Sequence, residues 1–304
     1  DNAGSHLFPL QIGVAQPLGT ELGYHTLLQW CERYHRSHSA VFVKLDFSNA
    51  FNTLDRSHFL DQVAHEFPCL TRFAYWCYGA PSALAFGSQP LLSSASGVQQ
   101  GDPLGPLIFA AALQPTVAKL KEFEHNGRKL DLVTFYLDDG FLAGDLETLA
   151  AAASLLSSDA AALGLQLNFS KSELVLPAGP TDRNLFSLFP RELLKEPATD
   201  KSRVNLSGNF ELLGAAVGAE WFCEAYLHSK VSEACELLKW MPKLENPQVA
   251  KNLTYNYRGM KIKATRIEAG WNSVYVAGKI IEKIGPILAI NNEEFNNCLL
   301  YTSP

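Results

Sequence analysis

The apolar positions of this chain change period several times, and each change marks an element. Ala40-Val41-Phe42-Val43-Lys44-Leu45-Asp46-Phe47 is β-branched and apolar, the composition of a buried strand. In such a strand Val41, Val43 and Leu45 share one face, while Phe42, Lys44 and Asp46 share the other. Further on, Val133, Phe135 and Leu137 alternate with Thr134 and Tyr136, and Phe141 and Leu142 resume the apolar pattern after Asp138-Asp139-Gly140. Asp-Gly between two such runs predicts a tight hairpin over 132–143, with Gly140 supplying the positive φ of its turn.

Helical patterns fill the intervals. Residues 18–36 read as a helix, and residues 56–66 as another, capped by Asp55 or Ser57 and stopped by Pro68. The aromatic stretch Tyr75–Leu92, broken by Pro81, Gly87 and Pro90, reads as turns and two short strands. Asp102-Pro103 predicts a helix start, a capping acid followed by a preset φ, and the apolar run from Leu107 carries that helix to about Phe123. His125–Arg128 is a turn. An alanine-rich helix over 146–163 has Leu149, Leu155 and Leu156 as its apolar stripe and ends at Gly164. Strand 165–176 carries Lys171, residues 177–205 read as a proline-rich insertion of loops, and 229–240 as an amphipathic helix. The order β-α-β-β-α-β is the split βαβ pattern, which places the chain in the α+β class with a ferredoxin-like core.

The carboxylates add chemistry to this frame. Asp138 and Asp139 repel each other on a turn, and a cation shared with a third acid removes that cost. Asp46 ends a buried strand, where a carboxylate is costly unless paired or metal-bound. Three such acids could hold two Mg²⁺ ions roughly 4 Å apart, clamping the attacking and leaving oxygens of a phosphoryl transfer. A solvated turn and a capping acid remain open as plainer readings. Between the acids lies Ser96-Gly97-Val98-Gln99-Gln100-Gly101-Asp102-Pro103-Leu104-Gly105-Pro106-Leu107. Its glycines let backbone approach a ligand and Gln100 offers both a donor and an acceptor; an ordinary loop entering a buried helix is the alternative.

Composition modifies the picture in three places. With 304 residues and 47% hydrophobic content, the chain can bury a sizeable core in two or three subdomains, without an apolar run long enough to span a bilayer or a secretory signal. Cys31, Cys69, Cys77, Cys223, Cys235 and Cys298 show no CxxC spacing and read as free thiols of a reducing compartment, and His35 and His38 as a surface pair. The net charge of −6 opposes binding to phosphate backbones, although part of the acidity is the candidate metal site itself. Basic residues recur at Lys119–Lys121, Arg128-Lys129, Arg183, Arg191–Arg203 and Lys230–Lys243.

These segments, in this order, resemble the palm of reverse transcriptases. Lys44–Phe51 looks like motif A, Gly97–Leu107 like motif B and Tyr136-Leu137-Asp138-Asp139 like the Tyr-x-Asp-Asp box of motif C. Leu163–Glu173 is similar to motif D, and Phe210–Gly218 to the motif E hairpin, or primer grip. The opening stretch Gln11–Leu28 is similar to the segment that precedes motif A, and the wording of motif B most closely resembles that of non-LTR (LINE-like) retrotransposons. The likeness covers about residues 8–250.

The resemblance implies a right-hand palm over 41–180 with a fingers insertion at about 67–95 and residual fingers over 1–40. It implies an insertion and primer-grip hairpin over 181–225, the start of a thumb over 226–250, and a chain that begins inside the domain. Residues 251–304 are unassigned, and the closing Cys298–Pro304 resembles translated adaptor text, so a partly chimeric tail is expected. The implied activity is RNA-directed DNA polymerisation with two Mg²⁺ ions, Mn²⁺ being a substitute, on an RNA template and a DNA primer with dNTPs. The implied setting is intracellular, cytoplasmic or nuclear, with no membrane. Asp46 and Asp138 would bridge the ions, Asp139 would support them, and the Phe47 carbonyl would be a further ligand. Phe51 stands at the sugar-gate position, where the alternative is a core aromatic; Gln100 and Gly101 would contact nucleotide and template. Lys171 would approach the pyrophosphate unless it is a solvated surface lysine, and Leu213 and Gly214 would form the primer grip. An inactive remnant that keeps the fold and its nucleic-acid binding, and a two-metal phosphohydrolase, are the competing readings.

Overall fold

A computed structural model describes residues 3–84, 92–99, 101–194 and 204–238 of the chain. The chain divides into two units, Asp1–Gly208 and Asn209–Pro304. In the first, α1 (Ala3–Leu7) and α2 (Gly19–Tyr34) precede β1 (Ala40–Leu45). The one-turn helix α3 (Ala50–Thr53), α4 (Arg56–Glu66) and α5 (Thr71–Tyr78) follow, then the hairpin β2 (Ser82–Leu84) and β3 (Leu92–Ser94). Next come α6 (Gly105–Glu122) and the hairpin β4 (Glu124–His125) with β5 (Arg128–Lys129). A second hairpin, β6 (Leu132–Tyr136) with β7 (Asp139–Asp145), leads into α7 (Leu146–Ala162) and β8 (Glu173–Val175). Short helices α8 (Leu185–Leu188) and α9 (Arg191–Leu194) and the strand β9 (Val204–Asn205) end the unit. In the second unit, β10 (Phe210–Leu212) and β11 (Ala215–Val217) form a hairpin ahead of α10 (Glu220–Leu238).

Five strands make one sheet in the order β6-β7-β1-β8-β9. The first four run antiparallel to their neighbours, and β9 adds to β8 in parallel. Omitting β9, this is the strand order of the expected ferredoxin-like core, an α+β fold. Val41, Val43 and Leu45 enter the main core with Ile108, Phe109 and Leu113 of α6 and Leu149 and Leu156 of α7. On the opposite face Phe42 is also buried and stacks on Phe141, with ring centroids 6.3 Å apart. Burial of both faces explains why β1 reads as a continuous apolar run rather than an alternating one.

The local signals account for most boundaries. The Asp55 carboxylate accepts the His58 amide at 3.1 Å and so caps α4. Asp145 caps α7 in the same way through the Glu147 amide, and Gly164 follows that helix with φ of 77°. The turn at Asn126-Gly127, both with positive φ, joins β4 to β5.

Several expectations are corrected. The aromatic stretch begins as helix α5, not as turns, because Phe67-Pro68 ends α4 and a new helical segment forms at once. The helix of the glycine-rich element starts at Gly105, not at Pro103. Asp102 spends its carboxylate on the preceding turn, accepting the Leu104 amide at 2.9 Å. Strand 165–176 is interrupted. Leu167 makes a single bridge to Phe47, and the Asn168 backbone carbonyl then accepts the amides of Lys171 and Ser172, closing a turn. Lys171 therefore sits in an exposed turn and not in a strand. The insertion after residue 177 holds α8, α9 and β9 among its loops, with 195–203 outside the described residues. The late helix begins at Glu220 rather than at 229. The basic residues Lys239 and Lys243, Cys298 and the whole of 251–304 lie outside the described residues. Among the described residues, no helix is long and apolar enough to cross a membrane. Cys31, Cys69, Cys77 and Cys223 are free thiols, and His35 and His38 are exposed, each bonded to a backbone carbonyl.

Candidate active site

The site forms where β1 meets the β6–β7 hairpin. Leu45 pairs with Gly140 in the β1–β7 ladder, so one further step brings Asp46 opposite Asp139. On the other side of β7, Tyr136 pairs with Asp139, which leaves Leu137 and Asp138 as a two-residue turn. The positive φ of this turn belongs to Leu137, at 59°, and not to Gly140 as expected. Gly140 lies inside β7, where a Cβ would stand 2.7 Å from Cε1 of Phe135. Its missing side chain is thus a packing requirement of the hairpin. Starting the turn one residue early puts Asp138 at the tip and Asp139 on the first strand position, beside Asp46.

Asp46 is held through its backbone. Its carbonyl accepts the Asn168 amide at 2.8 Å, and its amide donates to the Ser172 hydroxyl at 3.2 Å. Ser172 is fully buried and donates in turn to the Asn168 carbonyl at 2.9 Å. The side chain of Asp46 is left with Oδ2 buried and without a hydrogen-bond partner.

The three acids act on one another. Burial pushes the Asp138 carboxyl above the ordinary carboxylate value; its own amide opposes this and the Asp46 charge adds to it. Burial likewise raises Asp139, Lys44 opposes the rise, and the Asp138 and Asp46 charges reinforce it. Among the described residues, no group of three or more His, Cys, Asp or Glu is gathered as a ready-made metal cage. The donors present nevertheless fit a hard divalent ion: oxygens only, mutually repelling, one of them buried and unsatisfied. Mg²⁺ is held through one or two carboxylates, its remaining positions filled by water and substrate phosphate, rather than by a full protein cage.

The other expected residues divide by location. Phe47 is buried in the bridge to Leu167, and the two bonds of that bridge run from Ser48 to Gln166 and from Asn168 to Asp46, so the Phe47 carbonyl takes no part in it. Phe51 is half-buried, with its ring stacked on Phe109 at 4.7 Å between centroids. Gly101 is in an exposed turn, and Gln100 lies outside the described residues. Gly97 has φ of 68°, and a Cβ there would meet the Phe51 carbonyl oxygen at 2.3 Å, so the glycine-rich loop lies directly on the turn that carries Phe51. Leu213 and Gly214, both with positive φ, are the turn between β10 and β11 in the second unit.

Three contributors escaped the sequence reading. Ser172 was visible only as part of motif D, and nothing local marks it as the acceptor for Asp46. Lys44 shares a face with Asp46 by alternation, but its influence on Asp139 follows only from the pairing of β1 with β7. Arg56 is the lone Lys or Arg between Lys44 and Arg72, yet its burial depends on a loop some 40 residues away. The basic residues singled out earlier are mostly engaged. Lys119 pairs with Asp159, Arg128 with Asp145, Lys129 with Glu122, Arg183 with Glu147 and Lys230 with Glu233.

Solved structures similar to this chain include the apo telomerase of Candida tropicalis, at 11% identity and a TM-score of 0.47, covering 90% of this chain and 49% of that one. The telomerase of Candida albicans in complex with a TWJ fragment of telomeric RNA is similar at 13% identity and a TM-score of 0.41, covering 91% and 46%. The chain thus spans about half the length of these telomerases. No curated protein matches it. The reverse transcriptase (RNA-dependent DNA polymerase) family matches residues 6–252, a span that includes β1, the glycine-rich loop, the β6–β7 hairpin and the β10–β11 hairpin. With most of its 304 residues inside that match, the chain belongs to the reverse transcriptase family.

Proposed function

We propose that this chain is the polymerase core of a reverse transcriptase of the non-LTR (LINE-like) retrotransposon type. It extends a DNA primer on an RNA template with dNTPs, and the free thiols of the described residues support an intracellular setting. One observation carries the reading: Asp46 stands beside Asp138 and Asp139 with a buried, unsatisfied oxygen.

Asp46, Asp138 and the Phe47 carbonyl would hold two Mg²⁺ ions, or Mn²⁺ in their place, with Asp139 in support. Such ions, when bound, lower the pKa of the primer 3′-hydroxyl and offset the charge of the triphosphate. The protein's own part is positioning. Ser172 and Asn168 fix the backbone of Asp46, and the β6–β7 turn presents Asp138. Phe51, stacked on Phe109, offers a fixed ring edge against C2′ of the nucleotide sugar. Gln100 and Gly101 contact nucleotide and template, Lys171 reaches the pyrophosphate from its exposed turn, and Leu213-Gly214 grips the primer. In this reading 1–40 belong to the fingers, 41–180 to the palm with its insertion at 67–95, and 226–250 to the thumb.

The test is dNTP incorporation on a primed RNA template with Mg²⁺. The unmodified chain incorporates, and Asp138→Ala lowers the rate by roughly 10³-fold or more, as expected for loss of a metal-holding carboxylate. Undiminished incorporation by Asp138→Ala would overturn the assignment.

A further inference from the structure

We infer that Arg56 is a positioning residue for nucleotide selection, because its guanidinium locks the glycine-rich loop onto the backbone of Phe51. The inference rests on the polymerase reading above and extends it to a residue outside the motifs.

Arg56 is the first residue of α4 and is only 8% exposed. Its Nε donates to the Gly97 carbonyl at 3.0 Å and Nη1 to the Ser94 carbonyl at 2.8 Å. Nη2 donates to the Ser94 hydroxyl at 3.0 Å and to the Ser96 carbonyl at 3.2 Å. The four acceptors are neutral and belong to the incoming arm of one loop. Below the guanidinium lies the Tyr78 ring, 5.3 Å from its central carbon. A buried charge is costly, and only a dense set of hydrogen bonds and a ring face offset that cost. A residue needed merely to begin a helix requires none of them. The arrangement uses the planar fork of arginine, which lysine lacks.

Two further sets of bonds complete the clamp. The Gly97 amide donates to the Leu54 carbonyl at 2.8 Å, and the Val98 amide to the Phe51 carbonyl at 2.7 Å. The Ser96 hydroxyl reaches the Asn52 carbonyl at 2.9 Å. The incoming arm is thereby laid along residues 51–54. On the outgoing side the Tyr78 hydroxyl donates to the Asp102 carboxylate and accepts the Gln99 amide at 3.2 Å. The loop is pinned on both arms, while Gln99 and Gly101 at its crest remain exposed. On the polymerase reading Phe51 and the crest would flank the incoming nucleotide, and Arg56 holds the loop's incoming arm against the backbone of residues 51–54.

The experiment compares the full chain with Arg56→Met, Arg56→Lys and Tyr78→Phe. Steady-state incorporation of dTTP and of UTP is measured on oligo(dT)-primed poly(rA). Hydrogen exchange is followed at the amides of Gly97 and Val98, with Val43 and Leu142 as references in the sheet. Arg56→Met is expected to speed exchange at Gly97 and Val98 alone. It should raise KM for dTTP about tenfold, with kcat far less affected, and narrow the preference for dTTP over UTP, since displacements near 1 Å suffice for such losses. Arg56→Lys should fail to restore these values, and Tyr78→Phe should show the same changes at smaller size. Should Arg56→Met not fold, Arg56→Lys, which keeps the charge and loses the fork, decides by the same readouts. Faster exchange with unchanged KM and sugar preference would overturn the selection role, and unchanged exchange would overturn the clamp. Absence of incorporation by the unmodified chain would strike the polymerase reading and the selection role with it, while the exchange rates would still report on the clamp.

Discussion

Gly140 and Phe51 each answer to a single neighbouring ring. A methyl group at Gly140 would stand 2.7 Å from Phe135, whose side chain is itself fully buried, so neither partner can retreat freely. Gly140→Ala is expected to lower stability by about 1–3 kcal/mol, the usual cost of overpacking, as a shift in the urea midpoint at unchanged slope. A second change, Phe135→Leu, should recover part of that loss, and additive losses would show that the two sites do not couple. Phe51 is stacked on Phe109 rather than engulfed, so its edge is available to a ligand. Phe51→Ala should admit ribonucleotides by opening space beside C2′, measured as UTP incorporation on a poly(rA) template. Unchanged discrimination would return Phe51 to the core.

Among the elements, α4 shows most clearly how a local signal is turned to a distant use. Asp55 caps its start, and the next residue, Arg56, reaches the glycine-rich loop. The Ser57 hydroxyl, and after it the His58 amide, hold the Asp55 carboxyl down to about 2. This folded value lies below the roughly 3.9 of an unfolded aspartate, so the contribution is complete above that value and is lost as pH falls through about 2. Asp55→Ala should therefore cost about 1 kcal/mol at pH 7, the usual worth of such a cap, and the cost should shrink between about pH 4 and pH 2. Urea unfolding of both proteins at pH 7 and near pH 2.5 measures the difference; a gap that persists in acid would mean that the cap acts without its charge. The β6–β7 hairpin makes the complementary point. Its strands are legible from alternation, but its turn avoids the glycine that marks turns elsewhere in the chain.

The chain as a whole carries a net charge of −6, and Lys119, Arg128, Lys129, Arg183 and Lys230 are each paired with a carboxylate. Those five cations must give up a carboxylate before they can displace counterions from a template. With a net negative charge, binding of a labelled primer–template should weaken with salt at a shallower slope than the roughly 6–10 neutralised phosphates of strongly basic binders give. Fluorescence anisotropy between 50 and 200 mM salt tests this, and a slope near −8 would mean that the surface pairs open to grip the backbone.

What the amino-acid order determined by itself was local: the two apolar runs that became β1 and the β6–β7 hairpin, the caps of α4 and α7, and the sequence of carboxylates, glycines and aromatics that resembles a polymerase palm. Periodicity reports the face of an element because it depends only on neighbours two to four positions away. Pairing between strands nearly a hundred residues apart depends instead on how every helix packs against the sheet. Only the tertiary structure, therefore, set Asp46 opposite Asp139, moved the turn to Leu137-Asp138 and brought Arg56 to the carbonyls of Ser94, Ser96 and Gly97. Each of those outcomes required a buried polar or packing demand to be met by a residue far along the chain, and no local pattern encodes such a partner.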